Sequence, residues 1–353
     1  MYKRQPVILW WQSDDDWSSA LAPEKTLQHK TGSYDYLLPN IDFDVSVVEN
    51  VKVRLSYSET IGRPSYSDLR PDVGLGNLLN RGASAGDPSL KPLESQNFDI
   101  SAEWYYTDDS YVALGYFRKD VDGFIGSQIF EETAYGLRDV RLGALANAAI
   151  ASGIAPTDLE GLHAYVRANS DPSNVAENGR WVKAADTDPL LIWKVNKPVN
   201  DKSAVIDGLE FAAQHWFGDS GFGFQTNYTM VDSDVSYDNL QTGGQFAMTG
   251  LSDTANFVGF YDKDAWQIRI AYNWRDSFLL SRTVGSGNEP QYVEDYSQID
   301  VSIGYEVNDN LSLTLEGINV TGENYRTHGR SKAQLLSLED LGARYQAGIR
   351  YTF

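Results

Sequence analysis

Toward the end of the chain, apolar and polar residues alternate with a period of two. Ala343, Tyr345, Ala347, Ile349, Tyr351 and Phe353 fall on one side, and Arg344, Gln346, Gly348, Arg350 and Thr352 on the other. Successive side chains point to opposite faces only in an extended strand, so this spacing predicts a strand with one greasy and one polar face. The pattern recurs upstream. Ile299, Val301, Ile303, Tyr305 and Val307 oppose Gln298, Asp300, Ser302, Gly304 and Glu306, and Leu311, Leu313 and Leu315 oppose Ser312, Thr314 and Glu316.

The same reading covers Ile41 to Val47, Val51 to Tyr57, Phe98 to Trp104 and Trp266 to Trp274, with less regular strands near 110–122, 203–217, 221–232 and 254–262. With a possible first strand at Val7 to Gln12, the count is about twelve. Tight turns at 48–50, 107–109, 218–220, 262–264 and 308–310 alternate with long segments near 61–94, 124–202, 233–253, 276–293 and 320–341. In an antiparallel meander every second connection emerges at the same end, so the short turns share one end and the long segments the other.

Mean hydropathy is -0.40, and no apolar run approaches the ~18 residues that a spanning helix needs. Strands impose no such requirement. An up-and-down transmembrane β-barrel satisfies every backbone group while presenting apolar side chains outward to lipid. The turn asymmetry and the Tyr, Trp and Phe on the apolar faces fit an all-β antiparallel barrel of the bacterial outer membrane. A soluble β-sandwich also alternates, but it hides its apolar faces against a second layer, and few residues are left over to build one.

Charge narrows the function. Asp and Glu number 49 against 29 Lys and Arg, a formal net charge of -20, so a phosphate-tracking nucleic-acid partner is not expected. Without cysteine there is no disulfide framework, thiolate metal site or cysteine nucleophile. The start, Met1 to Trp11, has only a short apolar stretch and lacks the core of a secretory signal, so either the protein remains in the cell or its true beginning is missing.

Catalytic motifs are weak, so no enzyme, metal or cofactor is expected. His29, His163, His215 and His328 are scattered. Gly285-Ser286-Gly287 lacks the context of a nucleophile elbow, and Gly74-Leu75-Gly76 lacks the third glycine of a dinucleotide site. Asp232, Asp234 and Asp238 have neither the glycine turn nor the closing glutamate of a calcium loop.

The 126–202 stretch exceeds ordinary loops. It offers a short alanine- and leucine-rich helix at Val140 to Ile150 and a second after Pro156, capped by Thr157 or Asp158. It reads either as a lid over the passage or as a solvated flap. Segment 61–94 holds four basic and four acidic residues, and 124–202 holds eight and ten, so neither is an anion trap. Loop aromatics that could stack on a sugar or another planar ligand include Tyr66, Tyr135, Trp181, Trp193, Tyr237 and Tyr292; Tyr66, Trp181 and Trp193 are the candidate ligand-binding residues.

Several separated motifs resemble one family, the TonB-dependent outer-membrane receptors of the type found in Caulobacter- and Xanthomonas-like proteobacteria. They are Tyr36 to Pro71 with its Leu-Pro opening and Arg-Pro-Ser exit, Gly86-Asp87-Pro88-Ser89-Leu90-Lys91-Pro92, Ser252 to Asp276, and Gly342 to Phe353. Asp87 stands where the family usually has Asn. The resemblance implies a 22-stranded barrel plugged by an N-terminal domain that carries a TonB box. Neither plug nor box is visible, so residues 1–353 would form only the C-terminal part of the barrel, with a long extracellular insertion at 124–202.

The resemblance further implies import of a scarce small-molecule nutrient, energised by the TonB–ExbB–ExbD complex acting through the missing plug. Outer-membrane lipid and lipopolysaccharide would surround the wall, and Phe353 would belong to the signal read by the assembly machinery. An oligosaccharide is the expected ligand; a ferric siderophore or cobalamin is the alternative. A self-contained twelve-stranded passive channel or outer-membrane hydrolase is a further alternative, and would require Val7 to Gln12 to close on Gly342 to Phe353.

Overall fold

The computed structural model describes residues 7–11, 17–21, 30–76, 81–176, 181–242, 244–284 and 289–353, the first two stretches by backbone alone. The chain divides into two units: Met1–Asp35, Arg63–Pro92 and Ile125–Asp201 form one, and Tyr36–Gly62, Leu93–Phe124 and Lys202–Phe353 the other.

Eleven strands follow one another in chain order along a single sheet. They are β1 (Asn40–Val48), β2 (Val51–Gly62), β3 (Leu93–Thr107), β4 (Ser110–Arg138), β5 (Leu190–Trp216), β6 (Phe222–Ser233), β7 (Thr254–Lys263), β8 (Trp266–Arg275), β9 (Tyr296–Asn308), β10 (Leu311–Ile318) and β11 (Arg344–Tyr351). The order is that of an up-and-down barrel wall. Among the described residues the path does not close: β1 and β11 are its two ends.

In the second unit the registers carry the predicted faces from strand to strand. Trp266 lies opposite Tyr305, Tyr305 opposite Leu313, and Leu313 opposite Ile349. The next row runs Ile268, Ile303, Leu315, Ala347. Between these rows, on the other face, run Gln267, Gly304, Thr314 and Gly348. A sandwich would bury the first set, yet Trp266 is 44% exposed, Ile270 51%, Leu315 50% and Ile349 78%. Such a face is stable in hydrocarbon and costly in water.

All five tight turns form where expected. Asn50 and Asp264 close two of them at φ 66° and 55°, a region that short polar side chains tolerate better than bulky or branched ones. The long connections carry structure of their own. Phe278–Val284 pairs with Glu289–Val293, and Tyr325–His328 with Leu335–Glu339; the two hairpins join through Tyr292 opposite His328 and Val293 opposite Thr327.

Two expectations need correction. Val7–Trp11 is not a twelfth wall strand. It pairs with Trp17–Leu21 and with Val182–Lys183 in a separate three-stranded sheet, because a hairpin partner a few residues away costs less loop entropy than one across the whole chain. The closure needed for a self-contained twelve-stranded barrel is therefore not made by these residues. The segment 124–202 is also less of a loop than its composition suggests. β4 and β5 are 29 and 27 residues long, against the ~9–11 that a tilted strand needs to span a bilayer.

The first unit has two small cores. Ala85, Ala134, Leu137, Leu191, Trp193 and Val195 form one. Val140, Ala146, Ala149, Leu162, Val166 and Val182 form the other. The second core binds α1 (Ala144–Ala151) and α2 (Leu159–Asn169) together. The side chain of Asp158 accepts a hydrogen bond from the Gly161 amide at 2.9 Å, satisfying an otherwise orphaned donor at the start of α2.

Candidate functional site

In the second unit the connections β6–β7, β8–β9 and β10–β11 converge on one side chain. Arg330, from the last of these, donates through Nε to Glu289 Oε2 at 2.8 Å and through Nη1 to the carbonyls of Asn239 and Gln241 at 2.8 and 2.9 Å. Its guanidinium lies 6.0 Å from the ring centroid of Tyr237. Tyr292 donates its hydroxyl to Asn239 Oδ1 at 3.1 Å and stacks on His328 with centroids 5.4 Å apart and planes 16° from parallel. Burial pushes the Tyr292 phenol above its ordinary pKa, so it remains a donor at neutral pH.

The cluster rests on buried side chains. Phe278, Leu279, Val293 and Thr327 are buried members of the paired hairpins, and Arg275 stacks 3.8 Å from the Phe278 ring centroid. Charges around it are met locally: Arg326 by Glu294 at 3.2 Å, Lys332 by Asp295 at 3.5 Å. The surface therefore presents aromatic rings and hydrogen-bonding groups rather than a concentrated field of one sign. It suits recognition by stacking and hydrogen bonding.

The remaining polar positions serve the fold. Asp232, Asp234 and Asp238 each accept from a backbone amide, those of Ser233, Val205 and Leu240, at 2.8 Å. His215 shares a 3.0 Å hydrogen bond with the Tyr106 hydroxyl. His328 uses Nδ1 against the carbonyl of Gly329 at 2.7 Å, and His163 is buried within α2. His29 and Gly285-Ser286-Gly287 lie outside the described residues.

Three aromatics singled out from sequence have different surroundings in the first unit. Tyr66 is 94% exposed, Trp181 is half-buried, and Trp193 is completely buried among Ala85, Ala134, Leu137, Leu191 and Val195. The ring faces of Trp193 are taken up by packing, which leaves it no surface to offer a ligand. Tyr237 and Tyr292, also noted from sequence, are brought together at the cluster of the second unit, whereas Tyr135 hydrogen-bonds Val73. Arg330 was missed. Its one sequence cue is a cation within Gly329-Arg330-Ser331, and nothing local announces contacts with residues some ninety positions upstream.

On the polar face of the wall, Arg54 Nη1 meets Glu103 Oε1 at 2.7 Å, and its Nε lies 3.6 Å from Asp44. Near the tight turns a concavity of about 400 Å³ is lined by Trp216, Phe260, Gln267, Arg269, Ser302 and Thr314 among others. Gln267, Arg269, Ser302 and Thr314 thus share this concavity with the rings of Trp216 and Phe260, a lining of mixed polarity.

Comparison with known proteins agrees with this architecture. The family model described as TonB dependent receptor-like, beta-barrel matches residues 11–320. Among solved structures, the siderophore receptor PirA of Acinetobacter baumannii is similar with a TM-score of 0.58 at 16% identity, over 90% of this chain and 41% of that one. The ferric enterobactin receptor PfeA of Pseudomonas aeruginosa gives 0.56 at 16%, over 90% and 40%. The ferric-catecholate import receptor Fiu of E. coli K12 gives 0.51 at 14%, over 89% and 34%. The chain thus spans about two fifths or less of the length of these receptors. No curated protein matches it. With a polar-lined, apolar-coated sheet and a family model covering most of its length, the chain belongs to the TonB-dependent receptor β-barrel family of the bacterial outer membrane.

Proposed function

We propose that this chain is wall and rim of a receptor that imports a scarce nutrient across the outer membrane, driven by the TonB–ExbB–ExbD complex through an N-terminal plug. The observation that carries the reading is the unbroken apolar row Trp266, Tyr305, Leu313, Ile349 on one face, with Trp266, Leu313 and Ile349 exposed, and long structured connections gathered at one end of the strands. Such a sheet needs lipid outside and leaves a polar passage inside. The long connections then face the exterior, and residues 124–202 contribute an extracellular insertion.

A ferric siderophore is the ligand class we favour. The receptors whose fold the chain shares carry that cargo in their names, and the cluster of Tyr237, Tyr292 and Arg330 gathers aromatic rings and a guanidinium, groups that suit a planar, oxygen-rich ligand. The second reading is an oligosaccharide. Tyr66, 94% exposed, presents a ring of the kind that stacks on a sugar face.

The test is uptake by the full gene product in cells lacking their own iron receptors. Labelled ferric enterobactin and a labelled oligosaccharide are offered with and without TonB. Accumulation of either probe that disappears without TonB supports import and selects the ligand class. Accumulation that persists without TonB points to a passive channel and overturns the proposal.

A further inference from the structure

The contacts around Arg330 differ in kind from ordinary loop packing, because the segments they join are each braced from within. In residues 238–242, Gln245 supplies the brace: its Oε1 accepts from the Asp238 amide at 3.0 Å and its Nε2 donates to the carbonyls of Asp238 and Gln241 at 2.9 and 3.2 Å. Asp238 also accepts from the Leu240 amide at 2.8 Å. In residues 329–334, Gln334 plays the same part. It receives the Arg330 amide on Oε1 at 3.0 Å, and its carbonyl receives the Gly329 amide at 2.8 Å.

Each tip is thus hydrogen-bonded within itself, and a separate set of bonds crosses from one tip to the other. The crossing contacts of Arg330 are the bonds from its Nη1 to the carbonyls of Asn239 and Gln241, and its Nε anchors the same group to Glu289 on the third connection. Tyr292, on that third connection, adds its hydroxyl to Asn239. Two side chains thus bridge segments that are each braced from within.

We propose that Arg330 and Tyr292 form a two-point clasp that holds the tips 238–242 and 329–334 in one arrangement, and that releasing it lets the tips separate. The inference concerns these connections themselves and goes beyond the import reading, so it stands or falls on a measurement that uses no ligand. Two discrete arrangements of packed elements are what a switch requires, and a handful of donors confined to two side chains can be withdrawn by substitution without touching the wall.

These 353 residues contain no cysteine, so in the full gene product, with any cysteine outside them replaced by serine, spin labels attach only at Leu240→Cys, 94% exposed, and Leu335→Cys, 50% exposed, in outer-membrane vesicles. The clasp predicts a narrow distance distribution in the labelled parent, a partly broadened one in Tyr292→Phe or Arg330→Met, and a broad, longer one in the double variant. Arg330→Lys, which keeps the charge and some donors, should lie between Arg330→Met and the parent. Heat-modifiable gel migration checks that each barrel assembles; should the double variant fail to do so, the single substitutions are read instead. A distribution in the substituted proteins that matches the parent overturns the clasp.

Discussion

Arg81 and Asp139, 58 positions apart, meet at 2.8 Å, and the Asp139 carboxylate is wholly shut off from solvent. The same carboxylate accepts from the Arg141 amide at 3.0 Å, while the Asp139 amide donates to the carbonyl of Pro189 at 2.8 Å. This pair therefore fastens the base of the helical segment between Asp139 and Pro189. Arg81→Met would leave the buried carboxylate with only Arg141, whose Nε lies 3.7 Å away, a loss of about 1–3 kcal/mol. Hydrogen exchange should show α1 and α2 losing protection, with β8 and β9 unchanged. Unchanged protection of the helices would show that the pair does not hold them.

Trp193 makes a second, separable prediction. It is fully buried, and its indole Nε1 is buried without a hydrogen-bond partner, so its value lies in packed area alone. Trp193→Ala should cost roughly 3–5 kcal/mol and lower the protection of the Leu191 and Val195 amides. Hydrogen exchange on the ligand-free protein checks this. Normal protection combined with impaired ligand binding would return Trp193 to the role of a ligand contact.

Gly208 tests the packing of the wall. A Cβ there would collide with the carbonyl oxygen of Met230 and sit 2.6 Å from the Phe117 ring. Since β5 and β6 must stay in register, the strand has little room to retreat, and Gly208→Val should destabilise by about 1–3 kcal/mol. The folded, heat-modifiable fraction recovered from membranes is expected to fall, whereas Gly244→Val, where a Cβ meets open space, should leave it unchanged.

Asp171 supplies a pH dependence. Hydrogen bonds from the Ser173 side chain and backbone hold its carboxyl below the usual range, through contacts of 2.6 and 2.8 Å. A depressed folded-state pKa stabilises the turn above the ordinary aspartate pKa, and that stability is lost as pH falls through the depressed value. Exchange of the Ser173 amide, corrected for its intrinsic pH dependence, should therefore lose protection only on acidification below the normal aspartate range. In Asp171→Ala the protection should be low at every pH.

The faces of β8 to β11 were legible in the sequence because a period-two pattern is a local property: Val301 and Ile303 need only their neighbours to declare a side. The cap of α2 was legible to within Thr157 or Asp158 for the same reason, and Asp158 is the one that caps it. Trp193 was not. Leu191, Trp193 and Val195 do share a face, but Leu190 and Ile192 make the opposite face apolar as well, so the pattern does not say which side is buried. Arg330 was illegible because its partners Asn239, Gln241 and Glu289 come from other connections, and only the folded sheet brings them together.

The most direct test of the central claim is to ask which face of β9 meets lipid. Single cysteines at Gln298, Ile299, Asp300, Val301, Ser302 and Ile303, introduced one at a time into the full gene product, would carry nitroxide labels in native membranes. Relaxation by oxygen dissolved in the bilayer should dominate at Ile299, Val301 and Ile303, and relaxation by a water-soluble nickel chelate at Gln298, Asp300 and Ser302. The reverse alternation, or no alternation along the strand, would contradict a wall with a lipid-facing apolar side.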